Sequence, residues 1–173
     1  LATVLSDAKL AASALKTNIA GVAFAVGLSI LLGFVLPFDS DTPALAERTH
    51  VGLEDLGLAS ASGAAGVLAF TTGVPASLIG VMVAVALLPP AAVFGLLVGH
   101  GDWAPASQAL LLLSTNVICV NLAAVDMFAI KGVRPRAWWK ADRARSATRN
   151  AILIWGALLV ALAGLIVASE RLP

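Results

Sequence analysis

The chain has 173 residues, of which 60% are apolar and only 12% are Asp, Glu, Lys or Arg, with a formal net charge of +1. A soluble domain carries about twice that charged fraction, and in water this one would expose wide apolar patches. The composition therefore excludes an ordinary soluble fold, and a near-zero net charge whose signs are segregated along the chain gives no footprint of nucleic-acid binding.

The charges leave gaps between Lys16 and Asp39, Asp55 and Asp102, Asp102 and Asp126, and Arg149 and Glu170. Each gap can cross a hydrocarbon core of about 30 Å at about 1.5 Å per residue, and the second can cross it twice. The expected fold is an all-α, multi-pass transmembrane helical bundle of about five spans in a single domain. The first span covers about residues 17–36 and stops at Pro37. The second, about 56–72, follows Glu54 and Asp55, acidic residues suited to a helix N-terminus. A short TTGVP turn leads to the third, about 76–98, with Pro75 suited to a first helical turn. The fourth covers about 107–130 and the fifth about 150–168.

The loops orient these spans. Residues 131–149 hold seven of the eleven Lys and Arg, and loop 38–55 holds five carboxylates against one Arg. The positive-inside rule places loop 131–149 in the cytoplasm and loop 38–55 outside, as in an inner (cell) membrane. Trp138 and Trp139 beside Arg136 and Lys140 read as an interfacial anchor, and Trp103 marks the outer interface. The lipid bilayer is the expected partner. The chain begins with Leu rather than Met, so further sequence is expected upstream.

Pro89 and Pro90 interrupt the most apolar stretch, VAVALLPPAAVFG. Neither can donate to the carbonyls of Val85 and Ala86 four residues earlier, and in lipid those oxygens need another donor. The third span is therefore expected to be broken or kinked near mid-membrane. Such a break can line a solute site, or it can be a packing kink satisfied by a neighbouring polar side chain. In the fourth span Gln108, Thr115, Asn116, Cys119 and Asp126 share one helical stripe. Asn116 lies near mid-span and could donate to the freed carbonyls. Asp126 is a candidate proton or cation site, or else a group near the headgroups that pairs with the basic loop. In the second span Ala59/Gly63 and Ser62/Gly66 have the spacing that permits close helix approach. That surface is expected to pack within the chain or across a homo-oligomer boundary.

Enzyme chemistry finds little support. His50 and His100 stand alone, with no HExxH, Cys–His pairing or phosphate-binding Gly loop, so no catalytic residue, metal or cofactor is expected.

Several stretches carry a resemblance: VMVAVALLPPAAVFGLLVGHGDW (81–103), LLLLSTNVICVNLAA (110–124), KGVRP (131–135) and ERTHVGLEDLGLASASGAAG (47–66). Together they resemble the uncharacterised hydrophobic membrane family, domain of unknown function 389. The resemblance implies a multi-pass prokaryotic membrane protein, with a further apolar segment ahead of residue 1, and carries over no catalytic residue. Two functions are expected from the residues. The first is a passive channel or secondary transporter for an ion or small polar solute, lined near Val85, Ala86, Pro89, Pro90, Gln108, Thr115, Asn116 and Asp126. The second is a non-transporting membrane scaffold or sensor.

Overall fold

A computed structural model describes residues 8–36, 42, 45, 52–132 and 141–171. Those residues form five helices: α1 (Ala8–Val35), α2 (Leu53–Thr71), α3 (Ala76–His100), α4 (Trp103–Ile130) and α5 (Ala141–Arg171). The Trp138–Trp139 anchor, most of loop 38–55 and His50 lie outside the described residues.

Local chemistry sets the helix ends. Asp55 accepts a hydrogen bond from the Gly52 backbone N–H at 2.9 Å, which satisfies one orphan donor at the start of α2. The α2–α3 turn uses Gly73 at φ 82°, and Pro75 then caps α3. α3 ends at Gly101, φ 97°, where the N–H groups of Gly101 and Asp102 both return to the Leu97 carbonyl at 3.0 Å. Gly101→Ala should lower thermal stability by about 1 kcal/mol, because open space surrounds the site and only the left-handed backbone resists a Cβ. A melting curve in detergent measures it.

Three helices form the centre. α3 and α4 run antiparallel, with Val93 and Leu97 against Ala106 and Ala109. α2 and α4 run parallel, tied by Ala59 against Cys119 and Val120, and further along by Val67 against Phe128. Phe70 meets Phe128 edge-on at 5.9 Å. α1 packs on the outer side of α3 and α5 on the outer side of α4.

Phe24 and Phe34 on α1 and Val160 on α5 are each more than 70% exposed. Such surfaces would aggregate in water and are at home in lipid. Among the described residues four helices are long and apolar enough to cross a membrane: Ala12–Val35, Ser77–His100, Trp103–Ile130 and Ser146–Gly164. The expected second span is a 19-residue helix that falls short of that standard, since Glu54, Asp55 and many small residues dilute its apolar content. Among the described residues Lys9, Lys16, Lys131 and Arg149 gather at one end of the bundle and Asp102 lies at the other, whereas Glu54 and Asp55 open α2 nearer the level of Pro90 and Asn116.

One expectation needs correction. α3 is not broken: the helix continues through Pro89 and Pro90 from Ala76 to His100. The proline rings delete donors, but flanking turns and a neighbouring side chain hold the segment helical. The expected fifth span, about 150–168, lies within α5, which starts earlier than the span. The basic stretch preceding its apolar part is already helical from Ala141, because Ala- and Arg-rich sequence favours helix at the membrane edge.

Candidate functional site

Pro90 removes the amide proton that the Ala86 carbonyl would receive within a helix. The donor comes instead from α4: Asn116 Nδ2 bonds Ala86 O at 2.8 Å, both residues being buried. Pro90 itself is almost fully buried one turn beyond. Around this bond Ala59, Ala86, Cys119 and Val120 pack as one apolar cluster, with Leu56, Val83 and Leu159 against it. The other amide atom, Asn116 Oδ1, is buried with no hydrogen-bond partner.

The remaining polar residues of α4 mostly satisfy their own helix. Thr115 Oγ1 donates to Leu111 O at 2.9 Å and Ser114 Oγ to Leu110 O at 2.8 Å. Asn121 Nδ2 donates to Val117 O at 2.7 Å. These i−4 bonds remove polarity from the bilayer without joining helices. Gln108 and Asp126 stand about 12 Å and 15 Å along the helix from Asn116, on opposite sides of it. The Val85 side chain is 68% exposed and turns away from the bundle, while Pro89 is half-buried. Thus Ala86, Pro90, Thr115 and Asn116 share one level of the bundle, and Val85, Gln108 and Asp126 do not join them. Asp126 makes no ion pair among the described residues, and the loop 133–140 that follows lies outside them.

The small residues of α2 are used inside the chain. A Cβ added to Gly63 would lie 2.5 Å from the Val120 carbonyl oxygen, and Ala59 is 1% exposed. Gly66 meets Ile79 and Val83 of α3 at ordinary contact distance. Ser62, partly exposed, returns its hydroxyl to Leu58 O at 2.9 Å. The Ala59–Gly66 surface expected at a homo-oligomer boundary is therefore occupied by α4 and α3, because the hairpin turns bring those helices within reach first.

Two features escaped the sequence reading. Ser29/Gly33 of α1 and Gly95/Gly99 of α3 also have small-xxx-small spacing, and they make the tightest helix contact described. A Cβ on Gly99 would fall on the Ile30 carbonyl oxygen, one on Gly33 on the Leu96 carbonyl oxygen, and one on Gly95 2.5 Å from the Ser29 Cβ. The spacing was readable; its partner was not, because both helices are apolar all round. At their other end α1 and α3 stand apart around a cavity of about 470 Å³, lined among others by Thr17, Asn18, Gly21, Val83, Gly80 and Leu87. Neither Pro89, Asn116 nor Asp126 lines it. Among the described residues no group of three His, Cys, Asp or Glu could hold a metal ion.

An uncharacterised protein of Methanocaldococcus jannaschii is 39% identical over 167 residues, covering 96% of this chain and 52% of the relative, so the chain spans about half the relative's length. No solved structure matches. The sequence model of the family described as Domain of unknown function (DUF389) matches residues 1–122. With most of the chain matched, and with helices long and apolar enough for a membrane, this chain belongs to the family defined by domain of unknown function 389.

Proposed function

We propose that this chain is the packed membrane unit of a non-transporting scaffold, with its basic end cytoplasmic in the cell membrane. The observation that carries this reading is the Asn116–Ala86 hydrogen bond. Of the two carbonyls that the prolines free, that of Ala86 is buried, and its vacancy in the helix ladder is filled by a neighbouring side chain. Apolar residues from α2, α3 and α4 then close over the bond. A solute pathway would instead leave such backbone polarity facing a cavity.

The positive-inside rule supports the orientation, since Lys9, Lys16, Lys131 and Arg149 lie at the same end. One observation favours the second reading, a channel or secondary transporter for an ion or small polar solute. Asn116 Oδ1 is a spare acceptor buried at mid-span, and a buried unpaired acceptor costs about 1–3 kcal/mol.

A double-mutant cycle with a flux assay separates them. Asn116→Ala should cost about 1–2 kcal/mol in a detergent unfolding titration, because Ala86 O loses its donor. In a Pro90→Ala background the restored amide N–H supplies Ala86 O, so the same substitution should cost less by about 0.6–1.7 kcal/mol. Proteoliposomes carrying wild-type protein should show no flux across a broad ion and solute panel. Flux that Asn116→Leu or Asp126→Ala abolishes would replace the scaffold with the transporter.

A further inference from the structure

We propose that the cavity between α1 and α3 is a binding site for one acyl chain of an anionic phospholipid. The site forms because the two helices are pinned at Gly33, Gly95 and Gly99 and diverge towards their N-terminal ends. Gly21 and Gly80 face open space there: a Cβ on either would meet nothing within 4 Å. The walls are apolar, with Val22, Val83 and Leu87, and the polar side chains of Thr17 and Asn18 lie at the bundle end.

Shape and surroundings suit an acyl chain. The lining runs over about 12 Å of α1 and about 18 Å of α3. The slot is thus an elongated apolar groove, open along its side to the lipid, with the form of an extended hydrocarbon chain. A drug-sized pocket has about 300–1,000 Å³, so the volume is ample for a specific ligand.

Charge selects the headgroup. The slot opens at the basic bundle end, where Lys9 and Lys16 of α1 precede its lining residues Thr17 and Asn18, and where Asp126 and Asp142 are the acidic residues of the described helices. The first turn of α3 has no acidic residue, so its dipole also favours an anion at that level. A zwitterionic headgroup gains little from this field, whereas a phosphatidylglycerol headgroup is drawn to it. Thr17 gives its hydroxyl hydrogen to Ser13 O at 3.0 Å, which leaves its oxygen as an acceptor and the Asn18 amide as the donor for a lipid glycerol or phosphate oxygen.

The test is native mass spectrometry of the detergent-solubilised chain titrated with phosphatidylglycerol or phosphatidylcholine. One phosphatidylglycerol should stay bound with at least about five-fold preference over phosphatidylcholine. Gly80→Leu, and independently Gly21→Leu, should fill the slot and remove that bound lipid while the helical signal and monomer mass stay unchanged. Gly27→Leu, on the same helix facing open space, should retain it. Undiminished lipid in both slot-filling variants would overturn the proposal. So would equal retention of the two lipids, or a wild-type dimer that either variant dissociates, which would make a second copy the occupant. This site stands independently of the scaffold reading, because the lipid measurement does not involve Asn116 or flux.

Discussion

Gly99→Leu should cost about 3 kcal/mol or more and release α1 from the bundle. At this crossing backbone faces backbone: the Ile30 carbonyl oxygen occupies the place of a Gly99 side chain, and Gly33 Cα is 3.0 Å from that position. No flexible side chain can swing aside, so the helices must part, and overpacking of rigid structure costs about 1–3 kcal/mol for even small intrusions. Separation also forfeits the close Cα–H to carbonyl approaches that such crossings allow. Leu has higher helix propensity than Gly by about 0.6–0.8 kcal/mol, so the measured loss understates the clash. In lipid no hydrophobic force returns α1 to α3, since the exposed face of either is as comfortable against acyl chains. The check is thermal melting and size-exclusion behaviour in mild detergent, with Gly27→Leu as the partner variant. Gly27 sits on the same helix with open space around it. Equal melting of the two variants would show that the crossing carries no stability.

This asymmetry between Gly27 and Gly99 also marks what a sequence can reveal. The membrane character of the chain was legible because charge-free intervals of sufficient length have one economical explanation. Helix ends were legible where a residue type is forced, as in the TTGVP turn, whose Gly73 takes a positive φ, and at Asp55, whose carboxylate reaches the Gly52 N–H. The Asn116–Ala86 bond was suggested by a deficit rather than a pattern: a proline at position 90 leaves a carbonyl without a donor, and Asn116 was an amide at the right depth. Pairing between helices was much less legible. Gly33, Gly63, Gly95 and Gly99 all have neighbours at small-residue spacing, yet period alone cannot tell which helix lies opposite. Whether two prolines break α3 or leave it continuous was not legible for a related reason. Breakage is decided by what surrounds the free carbonyl, and that environment belongs to α2 and α4. The α1–α3 slot has no sequence signature at all, because it arises from the angle at which two helices leave a shared contact.

Gly63→Leu is the experiment that most directly separates packing within the chain from assembly between chains. Gly63 faces Val120 so closely that an added Cβ would be 2.5 Å from its carbonyl oxygen and 3.0 Å from its Cα. A leucine there should drive α2 from α4 and cost about 3 kcal/mol, again against the propensity gain. Cys119 supplies a specific readout, since it is the single cysteine and is buried at the same junction with Ala59. Wild-type protein should resist a membrane-permeant maleimide under native conditions, because a thiol without access to reagent does not react. The Gly63→Leu protein should label at a rate approaching that of the denatured chain, read as one added mass. Gly57→Leu, near the other end of the same helix with nothing within 4 Å, should leave both stability and labelling as they were. A small-residue surface at a subunit boundary would behave differently: Gly63→Leu would change assembly size and spare Cys119. Labelling unchanged with altered assembly would place the α2 surface between copies. Labelling gained at constant assembly size places it where the Val120 backbone already does, inside one chain.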